Sequence, residues 1–381
     1  MKRILPVVLL AVLGGCSWFG SSSNVEPPAE LVDFKPAMKV EEIWSRDIGK
    51  GPGENFLRLT PAEQGNTLYV SDRRGRVQAL DAVKGNERWR KDLDSDVSTG
   101  PGLGDDLVVI ATNKGEVVAL NRQDGKERWR AQVTSEVLAP PAIGDGVVVV
   151  QSVDGHVEAF DAATGKHLWL FERSEPALSL RGTSTPVVVG DAVLVGFATG
   201  KLAALNLRDG RQLWEIPVSE PHGRTEIERL IDVETPVLVT ARALIAAAYQ
   251  GKIVALSLEN GRLLWSREIS TYSALSADAD NVYVSDSRGA VYALDLRSGA
   301  TVWKQDQLHG RQLSAPMATG QAVAVGDFDG YIHWLARDDG HFLARTRIAS
   351  AAVLAPPLAD GATLYVEAQN GDLAAYRLEP R

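Results

Sequence analysis

Short apolar runs dominate the chain, and polar turns that contain Gly and Asp separate them. Typical stretches are "PPAIGDGVVVVQSVDG" and "TPVVVGDAVLVGFATG". Short β-rich runs divided by Gly-Asp or Asp-Gly turns predict antiparallel hairpins. The runs are continuously apolar rather than alternating, so we expect strands that are buried on both faces. No stretch outside the N-terminal leader has convincing helical periodicity.

One pattern recurs along the chain. It reads Gly-x-(apolar)-x-Ala-(apolar), with a second Gly ten residues after the first and a Trp fourteen residues after it, as in "GRVQALDAVKGNERWR". The copies begin at Gly75, Gly115, Gly155, Gly200, Gly251, Gly289, Gly330 and Gly371. The seventh copy is weaker and the eighth is a half-copy. Units of about 40–50 residues with four short strands each are typical of propeller blades.

We therefore predict an all-β fold, an eight-bladed β-propeller of four-stranded antiparallel blades. Each repeat tryptophan should lie in the outermost strand of its blade and pack against a neighbouring blade. The second Gly of each pattern should lie in the turn between the third and fourth strands, where positive φ favours glycine. The structural tryptophans are Trp44, Trp89, Trp129, Trp169, Trp214, Trp265 and Trp303.

The eighth unit stops after its third strand, which would leave an exposed edge. Upstream of the first unit, "VEEIWSRDIG" resembles a fourth strand, with Trp44 at the tryptophan position. We predict that this N-terminal strand completes the last blade and closes the ring. In the seventh unit Ala344 takes the Trp position and Trp334 takes the usual Ala position. We interpret this as a volume-compensating exchange within the core.

The N-terminus, "MKRILPVVLLAVLGGC", has the basic start and apolar centre of a secretion signal and is too short for a stable membrane span. It ends at Cys16, the only cysteine of the chain, and resembles the bacterial lipobox, whose Cys becomes acylated. The alternative is an ordinary signal peptide with a chance Cys. Ser17 follows rather than Asp, which by the usual sorting rule for such lipoproteins predicts the outer membrane. We predict a signal peptide at 1–15, a lipid-anchored flexible tether at 16–38 and the propeller at 39–381.

Charge and motif content argue against several classes of protein. The net charge is −9, and it becomes −11 without Lys2 and Arg3 of the leader, which argues against a general nucleic-acid binder. The six histidines are scattered without metal-ligand spacing, so we expect no metal site. No nucleophile-elbow or phosphate-loop motif occurs. We expect no catalytic residue and no cofactor.

The repeat itself resembles the tryptophan-docking motif of the quinoprotein alcohol dehydrogenases, which bind pyrroloquinoline quinone. This resemblance would imply a periplasmic enzyme. Those enzymes are considerably longer and place a vicinal cysteine pair beside the cofactor, whereas Cys16 is the only cysteine here. A quinoprotein-like enzyme is therefore an alternative function rather than the favoured one.

Two insertions break the repeat spacing, which rises from 40 residues to 45 and 51 in the third and fourth intervals. They follow Trp169 and Trp214, between the outer strand of one blade and the inner strand of the next. They should therefore lie on adjacent blades at the same end of the ring. Apolar residues beside charges in "PALSLRG" and "TEIERLIDVETPV" predict a protein-binding patch, with Arg181 placed to pair with Asp232 or Glu234. Loops that fold over the ring and bury their leucines explain the residues equally well.

The lipobox, the eight repeats and these two strings together resemble the BamB family over nearly the whole mature chain. These are the lipoprotein propellers of the outer-membrane β-barrel assembly (Bam) complex. In that family the first loop binds the periplasmic POTRA region of BamA, the barrel-forming subunit. The resemblance implies Leu178, Leu180 and Arg181 as contact residues, and Asp232 and Glu234 as support or contact. The family usually has Asp at the position of Glu234, so the reach of that carboxylate grows by one methylene.

The resemblance also implies a function and a location. It implies a non-enzymatic scaffold that binds BamA and assists the folding and insertion of outer-membrane proteins. Unfolded β-barrel clients are a further implied partner, which would pair as a strand with an exposed blade edge. The implied location is the outer membrane of a Gram-negative bacterium, lipid-anchored and facing the periplasm. A periplasmic interaction propeller with another partner is a third alternative.

Overall fold

Eight four-stranded antiparallel sheets form the ring, and each sheet is one blade. The computed structural model describes residues 27–381 except 54–56, 58, 175, 177, 181 and 260. In this part of the chain, no helix is long and apolar enough to cross a membrane. The strands are β1 Met38–Asp47, β2 Ala62–Glu63, β3 Thr67–Ser71, β4 Arg76–Asp81, β5 Glu87–Asp92, β6 Gly102–Gly104, β7 Leu107–Ala111, β8 Glu116–Asn121, β9 Glu127–Gln132, β10 Ala142–Gly144, β11 Val147–Gln151, β12 Val157–Asp161, β13 His167–Phe171, β14 Val187–Val189, β15 Ala192–Gly196, β16 Lys201–Asn206, β17 Gln212–Pro217, β18 Leu238–Val239, β19 Ala243–Ala247, β20 Ile253–Ser257, β21 Leu263–Arg267, β22 Ser276–Ala277, β23 Asn281–Ser285, β24 Val291–Asp295, β25 Thr301–Gln305, β26 Met317–Thr319, β27 Ala322–Gly326, β28 Tyr331–Ala336, β29 Phe342–Arg347, β30 Leu358–Asp360, β31 Thr363–Glu367 and β32 Asp372–Pro380. The predicted eight-bladed propeller is confirmed.

Consecutive hairpins build the first seven blades. Blade 1 is β2–β5, and blades 2 to 7 follow in steps of four strands through β29. The first strands of neighbouring blades, such as β6 and β10, contact each other, so the first strand of each blade lies innermost. The second and third strands are almost completely buried, as β7 and β8 illustrate. Their continuous apolar runs suit this position, because each blade lies between two others.

Blade 8 joins the two ends of the described chain. Its strand order is β1-β32-β31-β30, so the N-terminal strand takes the outermost place. Trp44 lies opposite Ala375 in this pair, just as Trp89 lies opposite Ala79 in blade 1. Both pairs also have a β-bulge beside the tryptophan. The predicted closure of the ring by the N-terminal strand is confirmed.

The repeat tryptophans pack against the next blade around the ring. Trp129 covers Gly165 of blade 3, and its indole N–H donates a 2.8 Å hydrogen bond to the carbonyl oxygen of Ala162. Gly165 has a φ of 72°, and a Cβ there would lie 2.7 Å from the indole ring. The same type of indole hydrogen bond, 2.8–3.0 Å long, is made by Trp44, Trp89, Trp169, Trp265 and Trp303. Trp214 holds the repeat position on β17 and is half-buried.

Blade 7 fills its interface with blade 8 in another way. Trp334, on the third strand, lies opposite Ala344 on the fourth and is fully buried. It packs in one cluster with Val353, Leu364 and Tyr376 of the next blade region. A large side chain on the third strand therefore occupies the volume that a fourth-strand Trp occupies elsewhere.

The described part of the predicted tether lies against blades 6 and 7. The backbone N–H groups of Ala29 and Ala37 donate to carbonyl oxygens of these blades, at 2.8 and 2.9 Å. Phe34 stacks on a blade 7 phenylalanine with ring centroids 5.2 Å apart. The guanidinium groups of Arg311 and Arg345 each donate to a backbone carbonyl of the segment at 3.1 Å. The chain is thus held to the ring before β1 begins.

A buried polar cluster orients these two arginines. Asp327 accepts hydrogen bonds from Nε of Arg311 at 2.7 Å and from His333 at 2.9 Å. Nε of Arg345 donates to Nδ1 of His333 at 3.1 Å. Burial lowers the pKa of His333, so the imidazole is neutral and its Nδ1 can accept this bond.

Candidate partner-binding loops

Two long connections leave one end of the ring and meet there. The first joins β13 to β14 and comprises residues 172–186, and the second joins β17 to β18 and comprises 218–237. The backbone N–H of Leu180 donates a 2.6 Å hydrogen bond to Oδ2 of Asp232. Gly182 lies directly over Glu234, because a Cβ on Gly182 would lie 2.6 Å from Oε1 of that carboxylate. The two loops form one continuous region, which we call the loop surface.

The apolar residues of the loop surface divide between solvent and core. Leu178 is 43% exposed and Ile227 is 70% exposed. Leu180 and Leu230 are half-buried. Ile231 is buried in the core between blades 4 and 5. Each of the two interpretations of the sequence therefore describes part of the loops, since they are anchored by buried residues and still present apolar side chains to solvent.

The two carboxylates of the second loop lie beneath the first loop. Asp232 is 2% exposed and Glu234 is 7% exposed. Asp232 is structurally equivalent to Asp96 and Glu136, which lie in shorter connections between blades. In all three residues the backbone carbonyl accepts a hydrogen bond from a backbone N–H of the next blade. Asp96 and Glu136 are half-exposed. The first loop is therefore what buries Asp232, and a buried carboxylate needs the hydrogen bond that the loop provides.

Arg181 lies outside the described residues, as do Cys16 and the predicted signal peptide at 1–15. Their predicted roles stay predictions. The described neighbours of Arg181 are Leu180 and Gly182, which contact Asp232 and Glu234 respectively.

A capping box shapes the tip of the second loop. The N–H of Glu228 donates to Oγ1 of Thr225 at 3.2 Å, and Oε2 of Glu228 accepts from the N–H groups of Arg224 and Thr225 at 2.7 and 3.1 Å. These backbone hydrogen bonds lower the pKa of Glu228. The Thr-x-x-Glu spacing is a sequence signal for this turn. The turn holds Ile227 exposed to solvent.

An ion-pair network fixes the start of the first loop to blade 4. Arg173 pairs with one oxygen of Glu215 on β17, and Nζ of Lys201 binds the other oxygen at 2.7 Å. The Arg173 guanidinium also lies 4.4 Å from the centroid of the Phe197 ring. Burial raises the pKa of Glu215, but the hydrogen bonds from Arg173 and Lys201 outweigh it and lower the pKa overall. Sequence reasoning missed this network, because its residues lie outside the two loop strings or at repeat positions.

One exposed cluster has the spacing of metal ligands. It consists of Asp338, Asp339 and His341 in the turn between β28 and β29. All three side chains are exposed, and Asp339 accepts the backbone N–H of His341. These are features of a hydrogen-bonded polar turn, and the cluster is remote from the loop surface.

Comparisons with known proteins decide the family. A family model described as "Outer membrane protein assembly factor BamB" matches residues 39–103 and 73–305. The outer membrane protein assembly factor BamB of Pseudomonas aeruginosa is 48% identical over 377 residues, which cover 99% of each chain. The chain belongs to the BamB family. The resemblance drawn from the lipobox, repeats and loop strings is confirmed.

Solved structures agree with membership of the BamB family. The crystal structure of BamB from Moraxella catarrhalis matches with a TM-score of 0.82 and 26% identity, covering 89% of this chain and 100% of that chain. A quinohemoprotein alcohol dehydrogenase from Comamonas testosteroni matches with a TM-score of 0.70 and 15% identity, covering 89% of this chain and 76% of that chain. At such identity the likeness concerns the fold alone. The relatives are named as assembly factors, which confirms the favoured non-enzymatic prediction over the quinoprotein alternative.

Proposed function

We propose that this protein is a non-enzymatic scaffold lipoprotein of the outer-membrane β-barrel assembly complex, and that its loop surface binds the periplasmic POTRA region of BamA. Membership of the BamB family supports a role in outer membrane protein assembly. The 2.6 Å hydrogen bond between Leu180 and Asp232 is the observation that supports the two loops as one partner-binding surface. It joins two insertions that the repeat does not need into a single region.

The residues of the loop surface divide into contacts and supports. Leu178 is the exposed apolar contact, and Leu180 and Arg181 follow it in the same loop. Asp232 and Glu234 are buried, so they act as supports that hold the first loop in place. An apolar side chain surrounded by polar loop residues is a common centre for a binding interface.

The anchoring part of the proposal rests on the sequence. Cys16 ends the lipobox and would carry the acyl chains, so that the propeller faces the periplasm from the outer membrane. The chain from residue 27 runs along blades 6 and 7, whereas the loop surface lies at blades 3 to 5. Anchor and partner-binding region would then occupy different parts of the ring, so a partner could bind without displacing the anchored segment.

Photo-crosslinking in intact cells tests the proposal. A photoreactive residue at position 178 should crosslink to BamA. The matched control is position 263, because Leu263 is also a leucine and is 60% exposed, but lies on the outer strand β21. A crosslink to BamA from 178 and none from 263 is the expected result. Absence of a BamA crosslink from 178, with the protein correctly anchored, would overturn the proposed partner surface.

Binding of unfolded β-barrel clients is a second candidate function, and the outer strands favour it. Blades 1 and 2 end in the charged strands "ERWRKD" and "ERWRAQ", and such charges discourage strand pairing. The outer strands of blades 3 to 5 instead expose apolar side chains, namely Leu168, Leu170, Leu213, Leu263 and Leu264. An extended client segment would add to such an edge through backbone hydrogen bonds.

Unfolded porin segments are the probe for this second function. They should bind the wild-type protein, and the double variant Leu263→Asp/Leu264→Asp should weaken the binding. If no segment binds in a direct assay such as fluorescence anisotropy, client binding by the outer edges is excluded.

A further inference from the structure

A cavity of about 470 Å³ opens at the interface of blades 1 and 2, away from the loop surface. Tyr69 and Trp89 of blade 1 line one side, and Arg122 of blade 2 lines the other. The Nη1 atom of Arg122 is buried and has no hydrogen-bond acceptor among the described residues. A buried donor without an acceptor is costly. A ligand that brings an acceptor into this cavity would therefore be stabilised by that guanidinium.

The same arrangement of side chains recurs between blades 6 and 7. In each interface a Tyr and a Trp of one blade face an Arg of the next. The equivalent residues are Tyr69, Trp89 and Arg122 in the first case and Tyr283, Trp303 and Arg337 in the second. In both, the indole N–H donates to the backbone carbonyl of the Arg, at 2.9 and 2.8 Å, and the Tyr and Trp ring centroids are 6.0 Å apart.

The second interface contains a carboxylate that the first does not have at the equivalent position. Asp278 accepts a hydrogen bond from the hydroxyl of Tyr283 at 2.6 Å and pairs with Nη2 of Arg337, also at 2.6 Å. The equivalent position in blade 1 is Gln64. The backbone N–H of Gln64 and that of Asp278 each donate to a carbonyl oxygen three residues later, across the turn between the first and second strands of the blade. Gln64 is neutral and exposed. The protein itself therefore shows which chemical group satisfies this Tyr and Arg pair.

The charges around the cavity leave room for an added anion. Arg88 also lines it and is paired with Asp81 at 2.9 Å. Arg122 has a long contact of 3.8 Å between Nη2 and Asp106, whose side chain is 66% exposed, so this pair is weak. Neither contact uses Nη1 of Arg122. Blade 6 has Val302 at the position of Arg88, so the cavity has one more guanidinium than its counterpart.

We propose that this cavity binds a carboxylate group of a peptide, from a C-terminus or an acidic side chain, in the place that Asp278 takes in blade 6. Arg122 would donate a charge-assisted hydrogen bond. The Tyr69 hydroxyl donates to the backbone carbonyl of Arg122 at 3.4 Å, a long hydrogen bond, and would turn from it to donate a second one to the ligand. The rings of Tyr69 and Trp89 form an apolar wall for the neighbouring part of the ligand. The volume lies within the usual range of ligand pockets. This binding site is separate from the loop surface and does not depend on the proposed binding to BamA.

Calorimetric titration of the full-length purified protein with three short acetylated peptides tests the proposal. The first has a free C-terminus and no acidic residue, the second is its amidated form, and the third is the amidated form with one added Asp. A carboxylate-bearing peptide should bind and the neutral amidated peptide should not. Whether the first or the third binds identifies the source of the carboxylate. Equal binding by all three peptides, or by none, overturns the proposal.

Two variants locate the binding in the cavity. Arg122→Gln removes the guanidinium, and Gln64→Glu keeps the shape of residue 64 but adds a competing carboxylate beside it. Each should weaken binding about tenfold or more, the loss typical of a charge-assisted hydrogen bond. Arg337→Gln changes the equivalent residue between blades 6 and 7 and should leave the affinity unchanged. If the Gln64→Glu variant folds and binds the peptide with unchanged affinity, the assignment of the binding site to this cavity is overturned. This holds whether or not the Arg122→Gln protein folds.

Discussion

The blade interfaces and the loop surface are held together by different kinds of contact. At the interfaces a large indole ring covers a glycine of the next blade and makes one hydrogen bond, as Trp129 does on Gly165. In the loop surface, hydrogen bonds from Leu180 to Asp232 and from Ser184 to Thr235 join two long segments, and Leu178 stays exposed. Burial of aromatic rings contributes far more to stability than one hydrogen bond. Stability and partner binding should therefore depend on different residues, and substitutions should separate them.

Removal of the closing strand should have the largest effect. Deletion of residues 40–49 takes away most of β1, leaves β32 as an open edge and removes the contact of Trp44 with Gly85 of blade 1. The melting temperature, followed by circular dichroism, should fall further than in any single-residue variant described below. An unchanged melting curve would show that ring closure contributes nothing to stability.

A glycine beneath a tryptophan provides a finer test of the interfaces. In Gly165→Ala the new methyl group would lie 2.7 Å from the ring of Trp129, and the residue would keep a φ of 72°. Overpacking of this kind costs about 1–3 kcal/mol, in addition to about 1–2 kcal/mol for the left-handed backbone. The matched control is Gly146→Ala, with a φ of 73° and nothing within 4 Å of the added Cβ.

Urea unfolding should show that Gly165→Ala is clearly less stable than Gly146→Ala. Equal losses in the two variants would assign the whole effect to the backbone and would contradict tight Trp-on-Gly packing.

Glu367 is a place where the ring itself holds an unfavourable group. This β31 side chain is 3% exposed, and neither carboxyl oxygen has a hydrogen-bond partner among the described residues. Burial raises its pKa well above the usual value, and Asp72 adds to the shift. A group whose pKa is raised in the folded state binds more protons there than in the unfolded state. The contribution of Glu367 to the stability of the folded state is therefore fully present below the pKa that its carboxyl group has in the unfolded chain. It is lost as the pH rises through the pKa that the group has in the folded protein.

Glu367→Gln should remove that loss. The variant should be more stable than the wild type at neutral pH, and the difference should shrink as the pH falls towards 4.5, the ordinary pKa of Glu. Chemical unfolding measured at several pH values checks this. A stability difference that is constant from pH 4.5 to 8 would exclude titration of Glu367 as its cause.

Leu178→Asp should have the smallest effect on stability and a strong effect on binding. The side chain is 43% exposed, so its replacement should change the free energy of unfolding by less than about 0.5 kcal/mol. Loss of an apolar contact from the centre of the proposed interface should weaken copurification with BamA. Leu263→Asp, at an exposed leucine on β21, is the control and should copurify normally. A large loss of stability in Leu178→Asp would place this residue with the structural positions of the ring.

The repeat was predictable because its signals are local. The Gly and Trp spacing and the apolar runs identify the strands and turns one unit at a time, and Trp44 identifies the closing strand in the same way. The adjacency of the two loops followed from the blade order. The burial of Asp232 and Glu234 did not follow, because it depends on which segment covers them. The sequence around a polar loop residue does not indicate whether another segment will cover it.

Two further features depend on contacts between distant parts of the sequence. Residues 27–37 have the composition of a linker, but Arg311 and Arg345 of blades 6 and 7 bind their backbone. The cavity at blades 1 and 2 depends on the exchange of one residue between repeats, since blade 1 has Gln64 at the position where blade 6 has Asp278. The exchange is visible when the repeats are aligned. Its meaning requires the apposition of Tyr69 and Arg122 from neighbouring blades.

The pairing of β1 with β32 also has a consequence for the order of folding. During synthesis β1 emerges before every other strand of the ring, and its partner emerges last. Contacts between segments so distant in sequence form slowly, since the chain must close a very long loop to make them. Blades 1 to 7 each contain all four of their strands and can form as hairpins in turn. Blade 8 can form only when synthesis has reached β32, so its completion requires that all the repeats have been synthesised.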